Sequence, residues 1–209
     1  MQVLATSSSE WTNPGESADS KQPKKSENLD HRVSSVSDVI IRSLQTSDWE
    51  NFRKLRLTAL QDNPKAYGIS HVDEASRTDE EWKTICQDAQ NGNAKWYTVA
   101  ETGEGSLIGM LGAVELFGEH MRHQVEVVQA YVSPQYRRLK IMEKLFNSLK
   151  AQLQKIDHIE QMIAWVTLYE AQVGKQIFEK FGFTYAGKLS KTVKFEGKYY
   201  DCCWLEASI

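Results

Sequence analysis

Hydrophobic periodicity along the chain predicts an α+β fold built on a sheet of about seven strands, and three observations carry that reading. The elements run β-α-α-β-β-β-α-β-α-β-β, without the strict alternation of a doubly wound fold and with too many helices for an all-β one. The stretch Gln124 to Leu153 shows an apolar, β-branched run, a stop at Ser133-Pro134, and then Ile141, Leu145, Leu149 and Leu153 four residues apart. Such a stretch is a buried strand followed by a helix with one apolar stripe. Finally, 184–195 and 198–205 flank Glu196-Gly197 as a terminal hairpin.

Each remaining element has a local cause. Val39 to Leu44 reads as a short opening strand. Ser47 with Glu50 predicts a capping box, followed by Trp49, Phe52, Leu55, Ala59 and Leu60 at helical spacing and a stop at Asn63-Pro64. Thr78 with Glu81 predicts a second box, opening a helix through Trp82, Ile85 and Ala89 that ends at Asn91-Gly92. Strands are expected over 95–101 and 107–117, the second weakened or bulged by Gly109 and Gly112. A further strand over 160–168 and a helix over 170–181, closed by Gly182, complete the order.

Residues 1–37 are rich in Ser, Lys, Asn and Glu without a period, so a disordered tail is expected there and a single domain over 38–209. The chain of 209 residues has 41% hydrophobic and 25% charged residues, and its net charge is −3. That balance argues against a general nucleic-acid binder, and no apolar run reaches the roughly 18 to 20 residues of a membrane span. The N-terminus lacks a basic region followed by an apolar one, so no secretory signal is expected. Cys86, Cys202 and Cys203 lack metal-ligand spacing. A reducing cytoplasm without bound metal is the expectation they support.

The joint Pro134 to Met142 carries Arg137, Arg138 and Lys140 at a helix start. Free backbone N–H groups, the positive end of the helix dipole and added cations together point to an anion, with phosphate the natural candidate. From Val39 onward the chain resembles the GCN5-related N-acetyltransferases. The resemblance lies in the element order, in the stretches LRLTALQDNPKAYGISHVDEASRTDEEW and GFTYAGKLSKTVKFEGKYYDCCWLEA, and in Tyr131-Val132-Ser133-Pro134 followed by Arg137. It implies a mixed sheet with helices on both faces and splayed fourth and fifth strands. It also implies acetyl-CoA as co-substrate, and acetyl transfer to a primary amine of a small molecule or peptide.

Residue by residue, the resemblance implies that the backbone of Ala130, Tyr131 and Val132 holds the pantetheine arm. The turn formed by Arg137, Arg138, Leu139, Lys140, Ile141 and Met142 would take the pyrophosphate. Glu126, six residues before Val132, corresponds to the family's catalytic base. Tyr67, His123 and Asp201 are the expected acceptor contacts, and a homodimer is a further expectation. Four positions depart from the family pattern. Lys140 and Met142 stand where the signature has glycines, and Phe178 where it has a tyrosine that protonates the leaving thiolate. Ala171 likewise stands where an Asn is frequent. A GNAT-fold binding or regulatory module with weakened catalysis is therefore the alternative to an enzyme.

Overall fold

The computed structural model describes residues 39–169 and 173–209. The expected tail and Ala171 lie outside them. Strand β1 (Ile40–Ser43) leads through a one-turn 3-10 helix into α1 (Trp49–Asp62), α2 (His71–Ala75) and α3 (Asp79–Asn91). Strands β2 (Lys95–Glu101), β3 (Leu107–Glu115) and β4 (Gln124–Val132) follow, then α4 (Ile141–Leu153), β5 (Gln161–Thr167) and α5 (Val173–Lys180). The chain closes with the hairpin β6 (Thr184–Phe195) and β7 (Lys198–Ser208). All seven strands form one sheet in the order β1-β2-β3-β4-β5-β7-β6, antiparallel except for the β4–β5 pair.

Two hydrophobic clusters sit on opposite faces of this sheet. One centres on α4, whose Ile141, Leu145, Leu149 and Leu153 are all at most 2% exposed and pack with Val125, Val127 and Met162. The other joins α1 and α3 to the sheet through Phe52, Leu55, Trp82, Tyr97 and Met110. Trp82, fully buried, packs edge-on against Phe52, with ring centroids 6.2 Å apart.

The two predicted capping boxes fare differently. Thr78 accepts from the backbone N–H of Glu81, and the Glu81 carboxylate accepts from that of Thr78, as the spacing requires. At α1 the box lies two residues earlier than Ser47 and Glu50. Asp48 accepts from the Gln45 backbone N–H at 2.8 Å and also pairs with Arg42 at 2.6 and 2.9 Å. A carboxylate that satisfies a helix start and a strand cation together displaces one that could serve only the helix. Arg42 also pairs with Glu101 on β2, which fixes the opening strand to its neighbour.

Gly112 in β3 is required by space. A methyl group there would overlap the Tyr97 ring, which lies across Gly112 from the paired position on β2. Gly112→Ala is expected to lower stability by about 1 to 3 kcal/mol, the usual range for overpacking. A urea denaturation curve with an unchanged midpoint would contradict this placement of Tyr97.

Candidate functional site

The site begins where β4 and β5 part. Their parallel pairing runs only through Gln124–Gln161, Val125–Met162 and Glu126–Ile163. Beyond it, β5 stays with β7 as far as Thr167–Cys202, while β4 stays with β3 as far as Val132–Gly109. Within β4, Gln129 adopts a φ of +57°, and the β3–β4 register slips between Met110 and Gly112. This bulge reverses the alternation of side chains along the strand. Before it, Val127 packs into the α4 cluster and Val128 against the α1 cluster; after it, Ala130 and Val132 face α4 and Tyr131 faces α1.

A cleft of about 1820 Å³ opens along this separation. Its walls include β4 from Glu126 to Val132, the start of α4, α5, and the connection after α1. Glu126 therefore reaches the cleft, on the face opposite its buried neighbours Val125 and Val127. It is half-buried, and burial pushes its carboxyl above the usual carboxylate range. Among the described residues no hydrogen bond or ion pair engages it.

The turn between β4 and α4 brings Arg137, Arg138, Lys140, Ile141 and Met142 to the cleft wall; Leu139 packs instead against the α4 core. Arg138 and Lys140 have φ of +65° and +57°. A side chain in this left-handed region costs about 1 to 2 kcal/mol, so the turn keeps a glycine-type backbone without a glycine. Lys140 is the N-cap of α4, and no side chain caps the helix. Only with Lys144, whose N–H donates to the Lys140 carbonyl, does the helical ladder begin. The N–H groups of Ile141, Met142 and Glu143 are thus left for an outside acceptor, next to three cations. Met142 does not close off this end. It is half-buried and packs onto the core as well as lining the cleft.

Around the bulge, polar contacts fix the backbone. The Tyr67 hydroxyl donates to the Ala130 carbonyl at 3.2 Å, and Arg137 Nε donates to the Val132 carbonyl at 3.0 Å. Tyr131 donates to Asp62 at 2.5 Å; burial and that carboxylate push its hydroxyl up to about 12. Tyr67 lines the cleft, and burial raises its hydroxyl further.

Two expected acceptor contacts are not brought together with the rest. His123 lies just before β4, where its backbone carbonyl ties down the start of β5, and it is absent from the cleft wall. The Asp201 carboxylate is held at 3.0 Å by Lys188 and at 2.9 Å by the Lys191 backbone, also away from the cleft wall. Phe178 does line the cleft, but as a buried ring set edge-on against Phe183. Tyr136 and Tyr169, which carry hydroxyls, also line the cleft.

A cluster the periodicity did not single out shares the cleft with Glu126. Arg56, Glu74, Arg77 and Tyr97 all line the cleft. Arg56 falls four residues after Phe52 on the apolar stripe of α1, and a charge on such a stripe was the signal available in the sequence.

Comparison with known proteins gives a consistent result. The family model described as "Acetyltransferase (GNAT) domain" matches residues 41–204. No curated protein matches the sequence. Among solved structures, an acetyltransferase of the GNAT family from Streptococcus pneumoniae superimposes with a TM-score of 0.73 at 16% identity, covering 82% of this chain and 100% of that one. A ribosomal-protein-alanine N-acetyltransferase from Brucella melitensis gives 0.68 at 19% identity, covering 81% and 99%. A phosphinothricin acetyltransferase from Sinorhizobium meliloti in complex with AcCoA gives 0.66 at 19%, covering 82% and 89%. At these identities the likeness is one of fold.

The desolvation of Glu126 has a measurable consequence. Its folded-state pKa lies above its unfolded one, so the charged form opposes folding. That penalty is absent below the unfolded value, about pH 4, and grows as pH rises through the folded one. Glu126→Gln is expected to melt at a higher temperature than the parent at pH 7, with the difference vanishing towards pH 4. A lower melting temperature at pH 7 would show that the carboxylate is stabilised by its surroundings.

Proposed function

The chain belongs to the acetyltransferase (GNAT) domain family, and on that premise we propose that it is an N-acetyltransferase moving the acetyl group of acetyl-CoA to a primary amine. The observation that carries this reading is the position of Glu126. It is a desolvated carboxylate at the last residue of β4 that pairs with β5, lining the cleft that begins where β5 departs.

The residues present fit acetyl-CoA. An uncapped helix start flanked by Arg137, Arg138 and Lys140 suits the pyrophosphate. Within the stretch of β4 that β5 leaves unpaired, 127–132, Ala130 to Val132 offer main chain to an extended amide-bearing arm. A neighbour of the same fold is described in complex with AcCoA, which supports the assignment.

Acetyl-CoA supplies the thioester carbonyl. Glu126 takes a proton from the substrate ammonium, directly or through water, and the desolvation that raises its pKa makes it a stronger base than a solvated carboxylate. The freed amine forms the C–N bond, the C–S bond breaks, and the CoA thiolate leaves. Phe178 has no proton to give. A thiol with a pKa of roughly 8 to 9 regains its proton from solvent without a dedicated acid. The reading of a binding module with weakened catalysis draws on Phe178, and the same experiment decides between the two.

With an accepted amine, Glu126→Gln is expected to lower kcat/KM by about 10² to 10⁴ in a thiol-release assay while acetyl-CoA still binds. Unchanged turnover would remove Glu126 from the role of base. No amine-dependent thiol release from the parent protein, with acetyl-CoA bound, would favour the binding module.

A further inference from the structure

The cleft that Glu126 lines also holds a buried positive charge that is only partly matched. Arg56, on the buried face of α1, is 4% exposed. Its Nε and Nη1 are buried and have no hydrogen-bond partner among the described residues. The closest carboxylate, Glu74, stands 3.8 Å from Nη2, beyond hydrogen-bond reach. Glu74 is instead engaged by Arg77, whose Nε donates to it at 3.2 Å. Two guanidinium groups thus share one carboxylate, and the cluster carries one net positive charge.

A guanidinium does not shed its proton in a protein, so burial leaves a charged fork of donors unsatisfied. Asp48, another buried charge, is by contrast matched by Arg42 at 2.6 and 2.9 Å. What holds Arg56 in place is the Tyr67 ring, whose centroid lies 4.6 Å from its central carbon. That contact fixes the plane of the fork without using its N–H groups.

The cluster and the base share one face of the sheet. Tyr97 packs over Gly112, which pairs with Val128, and Val128 is two residues from Glu126 on the same side of β4. The charges of Arg56, Glu74 and Arg77 all act on Tyr97. Arg56, Arg77, Tyr67, Tyr97 and Glu126 line the same cleft. A second ammonium on the acceptor would meet net positive charge there; a carboxylate would meet a planar fork that can take both its oxygens.

We propose that Arg56, with Arg77 beside it, binds the carboxylate of the acceptor, so that the acceptor is a free amino acid or a similar small amino-carboxylate with its amine turned to Glu126. The proposal rests on the acetyltransferase reading above and names the substrate class of that site.

The test reads binding on the full chain, independent of turnover. N-acetyl amino acids are compared by calorimetry with the corresponding N-acetylated amines that lack the carboxyl group. At least one N-acetyl amino acid is expected to bind roughly 10- to 100-fold more tightly than its carboxyl-free partner, the worth of a charged hydrogen-bonded pair. Arg56→Gln is expected to abolish that preference, Arg56→Lys to leave it largely lost, and Arg77→Gln to reduce it. Arg77→Gln, at a half-buried site, carries the test if the Arg56 variants do not fold. No binding by any member of the panel, equal binding of the paired ligands, or a preference that survives Arg56→Gln would overturn the proposal. Acetyl-CoA binding measured in parallel reports on the parent reading alone: its presence without a carboxylate preference sinks only the present inference.

Discussion

The whole site depends on one interruption, the end of β4–β5 pairing after Glu126 and Ile163. A continuous ladder there would consume the main-chain groups of β4 and close the sheet under α4. Instead β5 follows β7, and β4 bulges at Gln129, a non-glycine residue held at φ of +57°. Strain of this kind persists only where surrounding contacts over-determine it. Here the Tyr67–Ala130, Arg137–Val132 and Tyr131–Asp62 hydrogen bonds pin the strand on the C-terminal side of the bulge.

That bulge also divides the labour of the two faces. It leaves Glu126 and Val128 on the α1 side while returning Ala130 and Val132 to the α4 side. One end of the cleft therefore meets the uncapped start of α4, with its cations and free N–H groups. The cleft also meets α1 and α2, where Arg56 lies against the Tyr67 ring and shares Glu74 with Arg77. The cation-rich start of α4 and the Arg56 cluster thus come from different segments, and both line the cleft that Glu126 on β4 also lines.

Much of the fold was legible because its causes are local. The stripe of α4, the Thr78–Glu81 box and the Glu196-Gly197 hairpin each follow from residues a few positions apart. The parting of β4 and β5 followed from the family resemblance rather than from periodicity. What escaped the sequence was non-local. Asp48 took over the helix start because Arg42, on a strand, could reach it. The face of Glu126 depended on a bulge at Gln129, whose side chain gives no sign of a left-handed backbone. Lys140 presented itself as the loss of a glycine, yet its backbone keeps the conformation a glycine would supply. Asp201 was expected at the acceptor because the contacts that hold its carboxylate, Lys188 and the Lys191 backbone, meet it only across the β6–β7 hairpin. Arg56 stands on the apolar stripe of α1, and only its burial shows that two of its nitrogens lack a partner among the described residues.

The central claim is that the cleft takes acetyl-CoA with its pyrophosphate on the start of α4. The most direct measurement compares the thermal shift produced by acetyl-CoA with that produced by acetyl-pantetheine, which has the same arm and thioester but no pyrophosphate. At 100 times its Kd, acetyl-CoA should stabilise the native protein by about 2.7 kcal/mol, and acetyl-pantetheine at the same concentration should give a far smaller shift. No shift with millimolar acetyl-CoA, or equal shifts from the two ligands, would contradict the account.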